Sequence, residues 1–472
     1  MNAAEYKPVG TRRSFLASLI GSAFLSVVGA VKRPERSGPP NFVIFLADDL
    51  GYGDLGCYGN RAFATPRLDG MAAEGARLTE FYAMPTCTPA RAALLTGRYP
   101  LRSGLVRVLY PREHFGVPGG EILLPQALKP AGYRTACIGK WHLGDLPQYR
   151  PTRHGFDFFY GLLYSNDMTL AFNFPRLRLY RNDEIIESPV NQATLTQRYT
   201  EQAIQFIELN RDRPFLLYLP YSMPHVPISA SQQFRGKSHY SPYGDAVEEI
   251  DWSVGQVLDC LKKNALDEHT LAFFSSDNGP KLNTRHPAGS AGILRGGKST
   301  SWEGGIRVPC IARWPKQVPP HTVRPGISCL MDIFTTCVEL SGARLPDERP
   351  IDGKNLMPFL QNASLELHSE FFYYFGAHLC ALRAEQWKLH LMKRDYDATR
   401  KPGPLIKCHP PELYDLRNDP GETSDVSAQH AGLVESLQAL ASDFEAAIQA
   451  GKLPHSHLRS LLPRIHRKQT RH

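Results

Sequence analysis

Between residues 41 and 340, short apolar runs alternate with stretches whose apolar positions recur every three or four residues. The runs at 41–47, 134–138, 215–219 and 271–274 are rich in Phe, Val, Ile and Leu. They are apolar at consecutive rather than alternate positions, which suits strands of a parallel sheet covered on both faces. The stretches at 196–209 and 244–264 have the spacing of helices with one buried stripe. The alternation confines the chain to an α/β class, a sheet sandwiched between helices. After about residue 342 the texture changes. Residues 370–374, 379–391 and 413–416 read as a small antiparallel unit, and 427–448 as a terminal helix.

With 472 residues, 42% of them apolar and 21% charged, the chain supports one large or two ordinary domains and is too apolar for wholesale disorder. Its net charge of +8 is concentrated at the ends: residues 1–38 carry +4 and residues 452–472 carry +6, leaving the body at −2. A surface that tracks nucleic-acid phosphates needs its charge on the fold, so no nucleic-acid partner is expected. Near the start, Thr11-Arg12-Arg13-Ser14-Phe15-Leu16 precedes an apolar run broken by Gly21, Ser22, Ser26 and Gly29. The run is too short and mild for a membrane-spanning helix, and nothing later spans one. A paired arginine ahead of such a run reads as a twin-arginine export signal over residues 1–31, the alternative being an uncleaved anchor. The expected organisation is this signal, a linker over 32–40, a catalytic domain over 41–341, a C-terminal subdomain over 342–451 and a basic tail over 452–472. The twin-arginine machinery would deliver such a chain to the periplasm or the extracellular space. Its nine cysteines lack CxxC or metal-ligand spacing and read mostly as small core residues.

The informative positions lie just after the apolar runs. Asp48-Asp49 follows the first, Lys140 and His142 the second, His225 the third and Asp277-Asn278 the fourth. Ligands of open parallel sheets bind outside the carboxyl ends of the strands. Taken singly, an Asp-Asp pair is more often a cap and a lone His more often structural; together, four such ends converge. Asp48, Asp49, Asp277 and Asn278 all offer oxygen, and converging carboxylates repel unless a cation sits among them. Oxygen donors favour Ca²⁺ or Mg²⁺ over zinc.

Cys87 opens Cys87-Thr88-Pro89-Ala90-Arg91, a segment that begins a helix well. A helix N-terminus favours negative charge, and Arg91 adds a cation nearby. Cys87 thus reads as a low-pKa nucleophile if it remains an ordinary thiol, or else as a buried cap.

Cys87-Thr88-Pro89-Ala90-Arg91 with Leu95-Thr96-Gly97-Arg98 resembles the signature of the type I sulfatases. The resemblance extends through Ala47-Asp48-Asp49-Leu50-Gly51, Gly139-Lys140-Trp141-His142-Leu143-Gly144, Pro224-His225, Ser276-Asp277-Asn278-Gly279, Gly296-Gly297-Lys298 and Trp302-Glu303-Gly304-Gly305. Glu412-Leu413-Tyr414-Asp415-Leu416 and Asp419-Pro420-Gly421-Glu422 look like the family's C-terminal strand and turn. Gly161-Leu162-Leu163-Tyr164-Ser165 is similar to the arylsulfatase A and N-acetylgalactosamine-6-sulfatase group. The signature usually has Ser where this chain has Ala90, while Cys-x-Pro-x-Arg is kept.

The resemblance implies an alkaline-phosphatase-like fold: a central mixed, mostly parallel sheet flanked by helices, with a smaller C-terminal α+β subdomain of antiparallel sheet plus helix. It implies that a formylglycine-generating enzyme converts Cys87 to formylglycine. One hydroxyl of the hydrated aldehyde attacks sulfur, and the second expels sulfate from the sulfated enzyme. Asp48, Asp49, Asp277, Asn278 and residue 87 hold one divalent cation, with Ca²⁺ expected and Mg²⁺ the alternative. Arg91 helps to orient and acidify the diol, and His142 accepts its proton. Lys140 and Lys298 hold sulfate oxygens, His225 protonates the leaving oxygen and Ser165 touches substrate. The expected substrate is an aryl or carbohydrate sulfate ester. Two rivals are a formylglycine-dependent phosphonate or phosphate ester hydrolase and an inactive sulfated-glycan-binding relative.

Overall fold

The structure, a computed structural model, describes residues 38–282, 289–362, 364–397 and 401–451. The export signal, most of the 32–40 linker and the 452–472 tail lie outside the described residues.

Eleven strands form one mixed sheet: β1 (Asn41–Ala47), β2 (Ala76–Tyr82), β3 (Arg134–Lys140), β4 (Phe158–Leu162), β5 (Leu179–Arg181), β6 (Glu184–Glu187), β7 (Phe215–Pro220), β8 (Thr270–Ser276), β9 (Arg307–Arg313), β10 (Thr322–Arg324) and β11 (Ser328–Cys329). Across the sheet the order is β10-β2-β9-β8-β1-β7-β3-β4-β5-β6, with β11 also paired to β2. The central strands β8, β1, β7, β3 and β4 are mutually parallel. β9 runs antiparallel between β8 and β2, so β2 points the same way as the central five.

The four apolar runs are the central strands β1, β3, β7 and β8, buried throughout except for Arg134. Consecutive apolar residues form strands here because both faces of these strands are buried. β3 and β8 outrun their apolar cores: Gly139 and Lys140 still pair with β4, and Ser275 and Ser276 with β1. Ladder bonds join backbone groups and continue past the last apolar side chain.

The longer helices are α1 (Pro66–Ala73), α2 (Cys87–Thr96), α3 (Leu195–Leu209), α4 (Pro242–Lys263), α5 (Leu330–Leu340) and α6 (Ala431–Gln449). α3 and α4 are the two amphipathic stretches, and they pack on each other. α4 starts two residues ahead of its apolar pattern, where Ser241 accepts a hydrogen bond from Gly244 N and Pro242 occupies the first turn. Among the described residues no helix is long and apolar enough to cross a membrane.

The C-terminal sheet is antiparallel, in the order β12 (Glu370–Phe375), β13 (His378–Ala384), β14 (Trp387–Lys393) and β15 (Ile406–Asp415). The 379–391 stretch spans two strands rather than one, because the chain reverses at Glu385, whose φ is 52°. Glutamate rarely takes that left-handed conformation, so the turn carries no composition signal. α6 covers this sheet and stacks Phe444 on Phe372 at 3.6 Å.

A buried polar cluster joins the two sheets. Glu303 accepts from Tyr82 (2.8 Å), Tyr373 (2.7 Å) and Lys388 (3.0 Å). Glu422 accepts from Glu303 N at 2.7 Å, and its carboxylate lies 3.0 Å from Lys388 and 2.7 Å from His390.

Candidate active site

Parallel central strands bring their carboxyl ends to one edge of the sheet. β1 delivers Asp48 and Asp49, β3 Lys140 and His142, β4 Ser165, β7 His225, and β8 Asp277 and Asn278. Pairing of Ala47 with Ser276 sets Asp48 beside Asp277. Cys87 follows β2, which points the same way. Lys298 comes from the segment leading into β9, whose antiparallel direction puts its amino end on that same edge. A Cβ on Gly139 would meet Pro220 O at 1.8 Å, so glycine is needed where β3 passes the end of β7 toward Lys140.

The eleven sequence candidates gather here, all buried apart from slight exposure at Lys298. Cys87 occupies the first position of α2, with its Sγ 3.6 Å from Asp48 Oδ1 and 3.3 Å from Lys298 Nζ. Lys298 also donates to Asp49 Oδ1 at 2.6 Å. Lys140 bonds the other Asp48 oxygen and donates to Ser165 Oγ at 3.2 Å. Arg91 donates to Asp277 Oδ2 from Nη2 (2.8 Å) and Nε (3.1 Å), lies 3.4 Å from Asp48 Oδ2, and bonds Lys140 O at 2.6 Å. Asp49 and His142 hold left-handed backbone, with φ of 70° and 62°. Such conformations cost roughly 1–3 kcal/mol each and tend to cluster at functional sites.

Three carboxylates thus interleave with three side-chain cations, and their titration follows. Burial alone raises Asp48, but Lys140, His225 and Arg91 outweigh it and hold the carboxyl well below its ordinary value. Asp49 is lowered for the same kind of reason, with Lys298 the leading charge opposing burial. Asp277 is pushed up to about 6 by burial and by Asp48, against Arg91. Cys87 does not behave as a low-pKa thiol. Burial pushes it up to about 12 despite Lys140 and Lys298, so the helix N-terminus does not make it a thiolate.

The two histidines are held in defined tautomers. His142 Nε2 faces Leu109 O at 3.0 Å, and a carbonyl can only accept, so Nε2 carries hydrogen. Its Nδ1 lone pair is buried without a partner, and burial with Lys140 and Arg91 keeps the ring neutral. His225 Nδ1 lies 2.6 Å from Val226 O, which leaves Nε2 facing Asp49 Oδ2 at 3.6 Å. Burial and Lys298 lower that ring to about 4.

The oxygen donors of the site suit a hard cation. Asp48, Asp49, Cys87 and His225 each offer a ligand atom, all within 4.8 Å of one another. Asn278 donates to Asp49 Oδ1 at 2.7 Å and to Gly279 O at 2.9 Å, which leaves its own Oδ1 buried without a partner. Asp49 Oδ2 is likewise buried without a hydrogen-bond partner, His225 Nε2 lying 3.6 Å away. Two such oxygens beside further carboxylates match the preferences of Ca²⁺ or Mg²⁺. Cys329, Asp332 and His368 form a second cluster, but Asp332 already accepts from Cys329 N (2.7 Å) and Lys354 N (2.8 Å) and bonds His368 (2.7 Å). That cluster is a helix cap.

Sequence reasoning missed three contributors: the Leu109 carbonyl on His142, Thr88, whose hydroxyl donates to His142 O at 2.9 Å, and Tyr396, whose hydroxyl donates to Lys298 O at 2.7 Å. A carbonyl has no side-chain signature, and Tyr396 lies in no motif. Thr88 stood inside the quoted signature, but its hold on the His142 carbonyl depends on a contact 54 residues away in the chain.

The family model described as Sulfatase matches residues 40–343, and that described as C-terminal region of aryl-sulfatase matches residues 366–464. The chain is 42% identical over 380 residues to N-acetylgalactosamine-6-sulfatase of Mus musculus, covering 75% of this chain and 72% of that protein. It is 34% identical over 539 residues to steryl-sulfatase of Mus musculus, covering 92% and 86%. The crystal structure of PsFucS1 sulfatase from Pseudoalteromonas sp. superposes with a TM-score of 0.82 at 30% identity, covering 88% of this chain and 91% of that one. With its mixed sheet, its C-terminal antiparallel module and these matches along most of its length, the chain belongs to the sulfatase family and is a sulfuric ester hydrolase.

Proposed function

We propose that this protein releases inorganic sulfate from aryl or carbohydrate sulfate monoesters, using residue 87 as formylglycine and one divalent cation. The observation that carries the mechanism is the setting of Cys87, buried at the start of α2 between Asp48 and Lys298 with its thiol pushed up to about 12. A thiol so disfavoured as an anion is a poor nucleophile as it stands, and conversion supplies a different one. Formylglycine in its hydrated form supplies two hydroxyls on one carbon, one to attack sulfur and one to drive release of sulfate. Asp48, Asp49, Asp277, Asn278 and residue 87 would hold the cation, Ca²⁺ before Mg²⁺, and it would supply a positive charge against the sulfate oxygens.

The chain's own residues do the rest. Lys140 and Lys298 approach the nucleophile from opposite carboxylates and hold two sulfate oxygens, a role strengthened by burial. Arg91 keeps Asp277 and Asp48 in place beneath the nucleophile. His142 Nδ1, with its free lone pair, takes the proton released at residue 87. His225 Nε2 serves the leaving oxygen, and Nδ1 is pinned so that Nε2 is the nitrogen that exchanges its proton. The ring is lowered to about 4, so a bound sulfate anion must raise it before it acts as an acid. Ser165, fixed by Lys140, borders the substrate. Export through the twin-arginine route, with residue 87 converted by a formylglycine-generating enzyme, belongs to the same reading.

Two measurements test it: turnover of nitrophenyl sulfate against nitrophenyl phosphate, and peptide mass analysis of residue 87 in protein from its native host. Preferential release of sulfate with an aldehyde at position 87 is expected. A preference for phosphate would favour the phosphonate and phosphate hydrolases, and an unmodified thiol a sulfated-glycan binder.

A further inference from the structure

Lys298 has a long flexible stem, so where its ammonium reaches depends on how its backbone is held. Three parts of the chain hold it. Lys298 N donates to Pro280 O at 2.9 Å, just beyond Asp277 and Asn278. Ser299 N donates to Pro85 O at 2.9 Å, just before Cys87. Lys298 O accepts from the hydroxyl of Tyr396 at 2.7 Å. The first two ties come from loops of the catalytic edge itself. The third comes from the C-terminal sheet, from the connection that follows β14.

Tyr396 does not act alone. Arg394 N donates to Ser301 Oγ at 3.2 Å, and Asp395 pairs with Arg295 at 2.9 Å. Arg295 in turn lies over the Trp302 ring at 3.6 Å and donates to Glu422 O at 3.0 Å. Three successive residues of one short segment therefore grip the 295–301 loop at three points on either side of Lys298. The grip is polar and directional, and in its middle is a hydroxyl whose removal leaves the aromatic ring in place.

We infer that Tyr396 is a positioning residue for Lys298, so that the C-terminal sheet sets the enzyme's affinity for the sulfate group through this strap. The inference rests on the reading of Lys298 as a sulfate contact. Removing the hydroxyl frees the Lys298 carbonyl and lets the ammonium sample positions away from Asp49 and residue 87. Sulfate binding should suffer more than the rate of the chemical step.

The test is Tyr396→Phe in the full chain, read by calorimetric binding of inorganic sulfate and by steady-state kinetics on nitrophenyl sulfate. Binding of inorganic sulfate is expected to weaken and KM to rise by up to about tenfold, with kcat within about twofold and a melting temperature lower by no more than about 2 °C, since the lost hydrogen bond also contributes to the fold. Asp395→Asn should weaken sulfate binding in the same direction by a smaller factor. Unchanged sulfate affinity in Tyr396→Phe overturns the inference, as does a fall in kcat as large as the rise in KM. Lys298→Ala separates the two readings. If it binds sulfate like the wild type, the assignment of Lys298 to sulfate fails. If it loses sulfate while Tyr396→Phe does not, only the strap fails.

Discussion

Cys87 and Arg91 sit four positions apart on α2, and opposite outcomes are expected when each is removed. Cys87 contributes little to packing that alanine cannot replace, and its buried thiol makes two weak polar contacts. With Ca²⁺ saturating, so that the four oxygen-bearing side chains still hold the cation, Cys87→Ala is expected to keep the wild-type melting temperature while sulfate release from nitrophenyl sulfate falls at least about a thousandfold, as for loss of a covalent nucleophile. Normal release by that variant would refute the assigned nucleophile. Arg91 is fully buried between two carboxylates. Arg91→Ala leaves Asp277 without its ion-pair partner and Asp48 with Lys140 alone, a break in a buried pair that typically costs about 3–5 kcal/mol. It should unfold at markedly lower urea than Cys87→Ala, and equal midpoints would show that the guanidinium is not holding the site together.

The element with the most distinctive chemistry outside the catalytic edge is the short turn at Glu303, where the two sheets meet. Burial by itself raises the Glu303 carboxyl, but Lys388, Arg307 and Arg383 overcome it and hold it at about 2, below its ordinary 4.5. A carboxyl depressed by folding stabilises the native state above its unfolded value, and that contribution disappears as pH falls through the folded value. Comparison of wild type with Glu303→Gln by thermal melting should therefore show the largest gap above pH 4.5, on the order of 3 kcal/mol. The gap should close toward pH 2. A gap independent of pH would mean that shape, not charge, joins the sheets here.

For the molecule as a whole, three carboxylates and three side-chain cations meet at the carboxyl-end edge of the central strands, and a cation would matter most there. Asp49 Oδ2 and Asn278 Oδ1 are buried without hydrogen-bond partners, which is costly unless something binds them. Extensive chelation is expected to lower the melting temperature and abolish sulfate release together, since a ligand bound to the native state stabilises it by mass action. Restoration of both by Ca²⁺, and weakly by Mg²⁺, is the expected outcome. A melting temperature indifferent to chelator and to both ions would argue against a resident cation.

Much of this was legible in the chain. β1, β3, β7 and β8 announce themselves because strands buried on both faces carry apolar residues at consecutive positions, and Asp48, Lys140, His225 and Asp277 stand out because polar residues follow those runs. Cys87 was legible through the turn chemistry of Pro89 and the motif around it. Other features depend on partners distant in sequence. That β9 runs antiparallel, and so feeds Lys298 onto the edge built by parallel strands, follows from pairing rather than from composition. The neutral state of His142 depends on burial, and its tautomer on the carbonyl of Leu109. The high pKa of Cys87 reverses what a helix N-terminus suggests, because desolvation outweighs a helix dipole when a group is fully enclosed. Local patterning determined which segments are strands and helices and which polar side chains stand at the strand ends. Their protonation, their mutual distances and the hold of Tyr396 on Lys298 were decided by tertiary packing, because electrostatics and desolvation act through space and take no account of chain order.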